Sequence, residues 1–198
     1  MVYKTRKDLD RKMDFKSLSY KMTEEEYIKF CGECLVPFER ETNLCKSNLK
    51  LILENLKTER GRLTDIGCGN GYLLEKIREV NPNLELCGVD VQQDKNFTDI
   101  AFKNGNIAKL DFADNQFDIV TCTHTIEHII NVEDAFSELI RITKRKLIIV
   151  VPCQRYFYYT LDGHIQFFYK EAELLRYLPF KNFTLNKLDG DWIYIGEK

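Results

Sequence analysis

Three glycines at alternate positions, Gly67, Gly69 and Gly71, interrupt the chain between an apolar run and an amphipathic one. Before them stands Leu63-Thr-Asp-Ile66; after them Leu73, Leu74, Ile77 and Val80 recur at helical spacing until Asn81-Pro82 stops the pattern. The pattern is strand, tight glycine loop, helix. Glycine is required where the backbone turns with positive φ or lets a ligand approach closer than a Cβ permits, and the next helix begins with unpaired N–H groups. This stretch therefore reads as a site for a nucleotide-type cofactor.

A second strand, Leu84-Glu-Leu-Cys-Gly-Val-Asp90, ends in a carboxylate placed to accept from both hydroxyls of a ribose, which NAD and S-adenosylmethionine both carry. The dinucleotide fingerprint is G-x-G-x-x-G, whereas this chain has G-x-G-x-G with Asp65 two places before it. Asp65-Ile-Gly-Cys-Gly-Asn-Gly71 together with Gly88-Val-Asp90 resembles the first two motifs of the class I, seven-stranded S-adenosylmethionine-dependent methyltransferases. The resemblance runs in order over residues 61–198. It implies an α/β fold: a doubly wound, Rossmann-like, mostly parallel seven-stranded sheet with a C-terminal antiparallel hairpin. It also implies S-adenosylmethionine as cofactor, S-adenosylhomocysteine as product, and Asp65, Gly67, Cys68, Gly69, Gly71, Asp90, Val91, Asn106, Ile107 and Thr123 as cofactor-binding residues. In the family the position of Asn106 is often an aspartate that bonds the adenine amino group; an amide carbonyl accepts the same bond.

Residues 1–60 read as an N-terminal arm and helical lid on the domain at 61–198. Residues 1–22 are polar and expected to be irregular. Thr23-Glu-Glu-Glu26 is a capping box that starts a helix running to about Cys34, and a second helix carries Cys45, Leu49, Ile52, Leu53 and Leu56 on one face. In the resembled family such an extension covers the cofactor, which makes Tyr20, Tyr27, Phe30 and Phe38 candidate lid residues; stapling the extension to the body is the alternative. Cys31, Cys34 and Cys45 are too few for a structural zinc site.

Downstream, Ile100-Ala-Phe-Lys103 is a weak third strand, and Phe112–Thr123 a polar turn feeding a fourth. The fourth strand delivers His124-Thr-Ile-Glu-His128 to the carboxyl edge of the sheet, where doubly wound folds bind ligands. H-x-x-E-H is also a zinc-peptidase motif, but that motif belongs inside a helix and this one follows a strand. In many small-molecule methyltransferases the matching segment borders the acceptor, so His124 or His128 is a candidate general base. A subset resembling the quinone-biosynthesis O-methyltransferases binds a divalent metal here, which His124, Glu127 and His128 would supply; that is the less favoured reading. The third reading is that Glu127 and His128 hold the loop shut.

Asn131 caps an amphipathic helix with Val132, Ala135, Phe136, Leu139 and Thr143 inward, and Lys146–Val151 is a buried parallel strand ended by Pro152. Six aromatics lie among residues 156–168. Tyr156, Tyr158, Tyr159 and His164 are read as acceptor-pocket walls, with covering of the sheet edge as the alternative. A helix over 170–178 and a hairpin of Phe183–Leu188 with Trp192–Ile195, turning at Asp189-Gly190, complete the chain.

With 29 basic and 31 acidic residues, nothing in the charge suggests a nucleic-acid partner or membrane insertion. Seven cysteines, several inside strands, suit a reducing compartment, and a cytoplasmic location is expected. The function implied is methylation of a small-molecule acceptor, most simply at a hydroxyl of sugar or secondary-metabolite type. N-methylation and a cofactor-binding regulatory subunit are the alternatives.

Overall fold

The computed structural model describes residues 13–34, 41–91, 100–158 and 163–198. The chain begins with helices α1 (Phe15–Ser19), α2 (Glu24–Cys34) and α3 (Lys46–Leu56). Then follow β1 (Gly61–Ile66), α4 (Tyr72–Val80), β2 (Leu84–Asp90), β3 (Ala101–Asn104), β4 (Phe117–Thr123), a 3₁₀ turn at Ile126–His128, α5 (Val132–Ile142), β5 (Thr143–Pro152), α6 (Glu171–Leu175), β6 (Asn182–Leu188) and β7 (Asp191–Glu197). The strands form one seven-stranded sheet in the order β3-β2-β1-β4-β5-β7-β6, parallel except for β7, which runs antiparallel to both β5 and β6.

Strict alternation along the central strands covers both faces. Leu147, Ile149 and Val151 of β5, with Trp192 and Tyr194 of β7, pack on one side with Phe136 and Leu139 of α5 and Leu174 of α6. Ile148 and Val150, with Ile193 and Ile195, face the other side against Ile52 and Leu56 of α3 and Leu74 and Ile77 of α4. A strand covered on both faces must be apolar at every position, which is why Lys146–Val151 reads as an unbroken run.

Residues 1–12 lie outside the described residues, and the chain that follows them is helical where its polar composition suggests irregular structure. Phe15 of α1, in the stretch expected to be irregular, is buried and stacks on Phe30 and Tyr27 of α2, with Ile165 completing the cluster. Tyr27 and Phe30 are thus the staple, whereas Tyr20 is exposed; Phe38 lies outside the described residues. The capping box forms: Thr23 N donates to Glu26 Oε2 at 2.8 Å, and Glu26 N to Thr23 Oγ1 at 3.3 Å. Cys45 caps α3, accepting from Asn48 N through its sulfur, instead of lying on the helix's inner face.

Several boundaries differ from expectation. α5 runs directly into β5 without a loop, so Ile142 is the last inward residue of the helix and Thr143 the first of the strand. β3 is shifted one residue, to Ala101–Asn104. α6 stops at Leu175, and Tyr177 and Leu178 continue in i→i+3 bonds to Leu174 and Leu175, because Pro179 disfavours α-helical backbone at the residue before it. Among the described residues no helix is long and apolar enough to cross a membrane.

Candidate active site

The parallel strands β1, β2 and β4 all end at one edge, in register: Asp65 pairs with Gly88 on one side and Thr121 on the other. The chain leaves β1 through Gly67, Gly69 and Gly71, with φ of 77°, 50° and 78°. Gly67 and Cys68 both donate to Val89 O, at 2.7 and 3.0 Å, which folds the loop over the end of β2. The glycines serve different ends. A Cβ on Gly67 would lie 2.1 Å from Thr125 Oγ1, so that glycine lets the loop after β4 approach. A Cβ on Gly69 would meet nothing within 4 Å. That is open space beside a positively curved backbone, the cradle a nucleotide-type ligand requires. Cys68 is buried, burial raises its thiol pKa well above the usual range, and its sulfur lies 2.8 Å from where a Cβ on Gly88 would stand. Its side chain is thus part of the core, and its contribution to the loop is backbone.

Asp90 Oδ2 accepts from Gly69 N at 2.8 Å, tying the carboxylate that ends β2 to the open part of the loop. Its carbonyl accepts from Gly105 N at 3.0 Å, which brings the turn after β3 alongside. In that turn Asn106 Oδ1 accepts from Ala108 N at 2.9 Å, while Ile107 is buried and Val91 is exposed. Asn106 thus shapes its own turn through the oxygen expected to face a base. Asp65, 2% exposed, takes a 2.7 Å bond from Thr121 Oγ1. Burial, with Asp90 nearby, pushes its pKa to about 7 against the opposing effect of Thr121.

After Thr123, His124 takes a left-handed backbone, φ 50°. Its ring lies between two carboxylates: Nδ1 is 3.2 Å from Glu127 Oε1 and Nε2 is 3.3 Å from Asp191 Oδ2. The second contact is an ionic one, since Nε2 is out of line for a hydrogen bond. Burial alone would lower the pKa, but Asp191 and Glu127 outweigh it and raise it to about 9. The two carboxylates favour the imidazolium form, which does not take up a proton, so His128 is the better placed of the two candidate bases.

His128 differs. Its Nδ1 is 3.1 Å from Gly163 O, an atom that only accepts, so Nδ1 carries the hydrogen. His164 is brought beside it from 36 residues away, with ring centroids 5.0 Å apart at 72°. His164 Nδ1 is 2.6 Å from Gln154 Oε1. Glu127 lies beneath, 1% exposed, and its backbone oxygen accepts from Ile165 and Gln166, so the two loops are laced together. Burial would raise the Glu127 pKa, but the His124 bond and the charges of the histidines hold it below the usual carboxylate range. Tyr27 donates its hydroxyl to His128 O, connecting α2 to the same loop.

The aromatic loop is less united. Tyr158 hydrogen-bonds Ser17 Oγ at 2.7 Å and so meets the N-terminal extension. Tyr156 is 62% exposed and packs edge-on to Phe167. Tyr159 lies outside the described residues. Of the four residues read as pocket walls, His164 is the one that the described contacts bring to the histidine cluster. Sequence reasoning missed Thr121, Thr125, Gln154 and Asp191, whose partners lie far off in the chain and leave no local pattern.

The strand order, with its reversed seventh strand, and a glycine loop tied to a carboxylate at the end of β2 are those of the class I methyltransferase fold. The chain belongs to the methyltransferase domain family, whose model matches residues 38–187. Among curated relatives, the uncharacterized methyltransferase YcgJ of Bacillus subtilis is 30% identical over 96 residues, covering 42% of this chain and 37% of that protein. The ubiquinone biosynthesis O-methyltransferase of Rickettsia bellii is 26% identical over 117 residues, covering 52% and 48%. The chain thus matches less than half the length of these relatives. In fold it resembles the PH0226 protein of Pyrococcus horikoshii, with a TM-score of 0.60 at 18% identity over 89% of this chain and 99% of that one. It also resembles an S-adenosylmethionine-dependent methyltransferase of Aquifex aeolicus, with a TM-score of 0.57 at 14% identity over 76% and 89%.

Proposed function

We propose that this methyltransferase acts on a hydroxyl oxygen of a small molecule, and that the acceptor's proton leaves at the cluster of Glu127, His128 and His164. The observation that carries the reading is the position of that cluster. It follows β4 at the carboxyl edge, and Thr125, between its members and the strand, packs against Gly67 of the cofactor loop. The similarity to an O-methyltransferase of ubiquinone biosynthesis supports oxygen as the target.

Gly69 and Asp90 fit the nucleoside half of S-adenosylmethionine: the open face of Gly69 admits it and the Asp90 carboxylate accepts from the ribose. Val91 and the turn at Asn106 and Ile107 flank the adenine. In this reading Asp65 and Thr123 serve the amino-acid half, since a buried carboxyl suits an ammonium group. When bound, the cofactor supplies a sulfonium-activated methyl group. The protein's task is then to align a nucleophile, worth on the order of 7–11 kcal/mol, and to assist its deprotonation, worth roughly 10²–10⁴-fold. A hydroxyl acceptor needs that assistance because its pKa lies far above neutral. In our reading His124 acts by position: as an imidazolium it holds Glu127 and Asp191 and fixes the loop that carries His128.

Release of S-adenosylhomocysteine, measured with pooled hydroxyl and amine acceptors, tests this. Release with hydroxyl compounds that falls in His128→Ala supports it. Release with amines only makes the protein an N-methyltransferase, and tight cofactor binding with no release for any acceptor favours a regulatory role.

A further inference from the structure

Between the turn at Asn106–Lys109 and β4, residues 110–116 belong to no helix or strand, so no ladder satisfies their backbone groups. Two side chains of α5 hold them instead. Glu138 Oε2 accepts from Leu110 N at 2.7 Å, and Arg141 Nη2 donates to Leu110 O at 3.0 Å. The same two side chains bind each other twice, Nε to Oε1 at 2.6 Å and Nη2 to Oε2 at 2.9 Å, so guanidinium and carboxylate lie fork to fork. Arg141 Nη1 donates further to Phe112 O at 2.6 Å and to Asp114 Oδ1 at 2.9 Å, and Arg141 O accepts from Asn115 N at 2.8 Å. A mostly buried ion pair, its side chains 29% and 18% exposed, thus grips both backbone polar groups of Leu110 and the loop that follows.

Leu110 leads to the cofactor edge of the sheet. It is buried, and its Cδ2 lies 3.9 Å from where a Cβ on Gly105 would stand, so its side chain supports the turn from below. Lys109 N donates to Asn106 O at 3.0 Å, and Gly105 N to Asp90 O. A shift of Leu110 therefore moves Asn106 and Ile107. On the other side Lys103 pairs with Asp111, but that carboxylate is 95% exposed and such a pair fixes little. The clamp from α5 decides where the turn sits.

We propose that Glu138 and Arg141 are positioning residues for the cofactor, fixing the turn at Asn106 and Ile107 so that it selects adenine over other bases. The proposal rests on the reading in which that turn flanks the adenine, and it deepens that reading. The pair acts through Leu110. Hydrogen bonds tell an amino edge from a keto edge only where the partners are held within about 0.5 Å. A fork-to-fork pair fixes orientation as well as distance, which the point charge of a lysine does not reproduce.

The test titrates the full chain by calorimetry with S-adenosylhomocysteine and with S-inosylhomocysteine, which carries a keto oxygen in place of the adenine amino group. The wild type should prefer the adenine ligand by about tenfold or more, the scale of a hydrogen bond left unmade. Arg141→Lys keeps the charge and loses the fork, and should reduce that preference to about twofold or less. Glu138→Gln, which sets N–H donors against the guanidinium, should reduce it as well, and decides the matter if circular dichroism shows that Arg141→Lys does not fold. Arg145→Lys is the control for a general loss of stability: it weakens the 2.8 Å bond to Glu59 at the amino edge of the sheet and should leave the preference intact. A preference undiminished in both clamp variants, or lost equally in Arg145→Lys, overturns the proposal and leaves the adenine reading standing. Equal affinity of the wild type for the two ligands overturns that reading and the proposal with it, and no binding of either ligand overturns the cofactor assignment itself.

Discussion

Asp90 Oδ2 accepts the backbone N–H of Gly69 at 2.8 Å, so the carboxylate that ends β2 and the open glycine of the loop form one unit. Asp90→Ala removes both the ribose acceptor and the tether that shapes the loop. Affinity for S-adenosylmethionine should fall by about 1.5–3 kcal/mol, the range for a hydrogen bond to a charged group. Calorimetry showing unchanged affinity would place the cofactor elsewhere.

Gly67 and Gly69 should respond differently to the same substitution. Gly67→Ala drives a Cβ into Thr125 and should lower the melting temperature markedly. Gly69→Ala meets no protein atom, so it should cost only the strain of a left-handed alanine, about 1–2 kcal/mol, yet impair cofactor binding severely. Thermal melts beside binding isotherms separate the two, and equal behaviour of the variants contradicts this division of roles.

Asp65 gives the site a pH dependence. Its pKa is raised from 3.8 to about 7 in the folded protein, so the native state holds an extra proton between those values. Without ligand, the stability this group contributes is fully present below 3.8 and is lost as the pH rises through about 7. A cationic ligand group favours the ionised carboxyl, so cofactor affinity should rise with pH through about 7, with proton release on binding. Calorimetry in buffers of different ionisation enthalpy detects that proton; Asp65→Asn should abolish both effects.

His124 is expected to matter for stability first. His124→Asn keeps a residue that tolerates the left-handed backbone but leaves Glu127 and Asp191 without their shared cation. Breaking such a buried pair costs about 3–5 kcal/mol. Denaturant unfolding measures this, and a loss below 1 kcal/mol would show that the ion contacts are incidental.

The sheet and the glycine loop were legible because their signals are local: alternation, helical spacing and glycine placement are set by neighbours in the chain. The roles of His124 and His164 were not. Asp191 lies 67 residues beyond His124, and only the antiparallel pairing of β7 on β5, with Pro152 opposite Asp191, brings it to that edge. His164 meets His128 because Gly163, Ile165 and Gln166 bond to the same loop. The density of aromatics between 156 and 168 showed that the loop is not plain connector, but it does not reveal which ring turns inward. The direct passage from α5 to β5 was likewise hidden, since Thr143 suits either the end of a helix or the start of a strand.

The central claim is that the glycine loop and Asp90 bind S-adenosylmethionine while the histidine cluster serves the acceptor. Calorimetric titration of S-adenosylmethionine into the wild-type chain, Gly69→Ala and His128→Ala tests it most directly. The account predicts one site per chain, severely weakened in Gly69→Ala and retained near wild-type affinity in His128→Ala. Equal affinity in all three, or loss in His128→Ala alone, would contradict it.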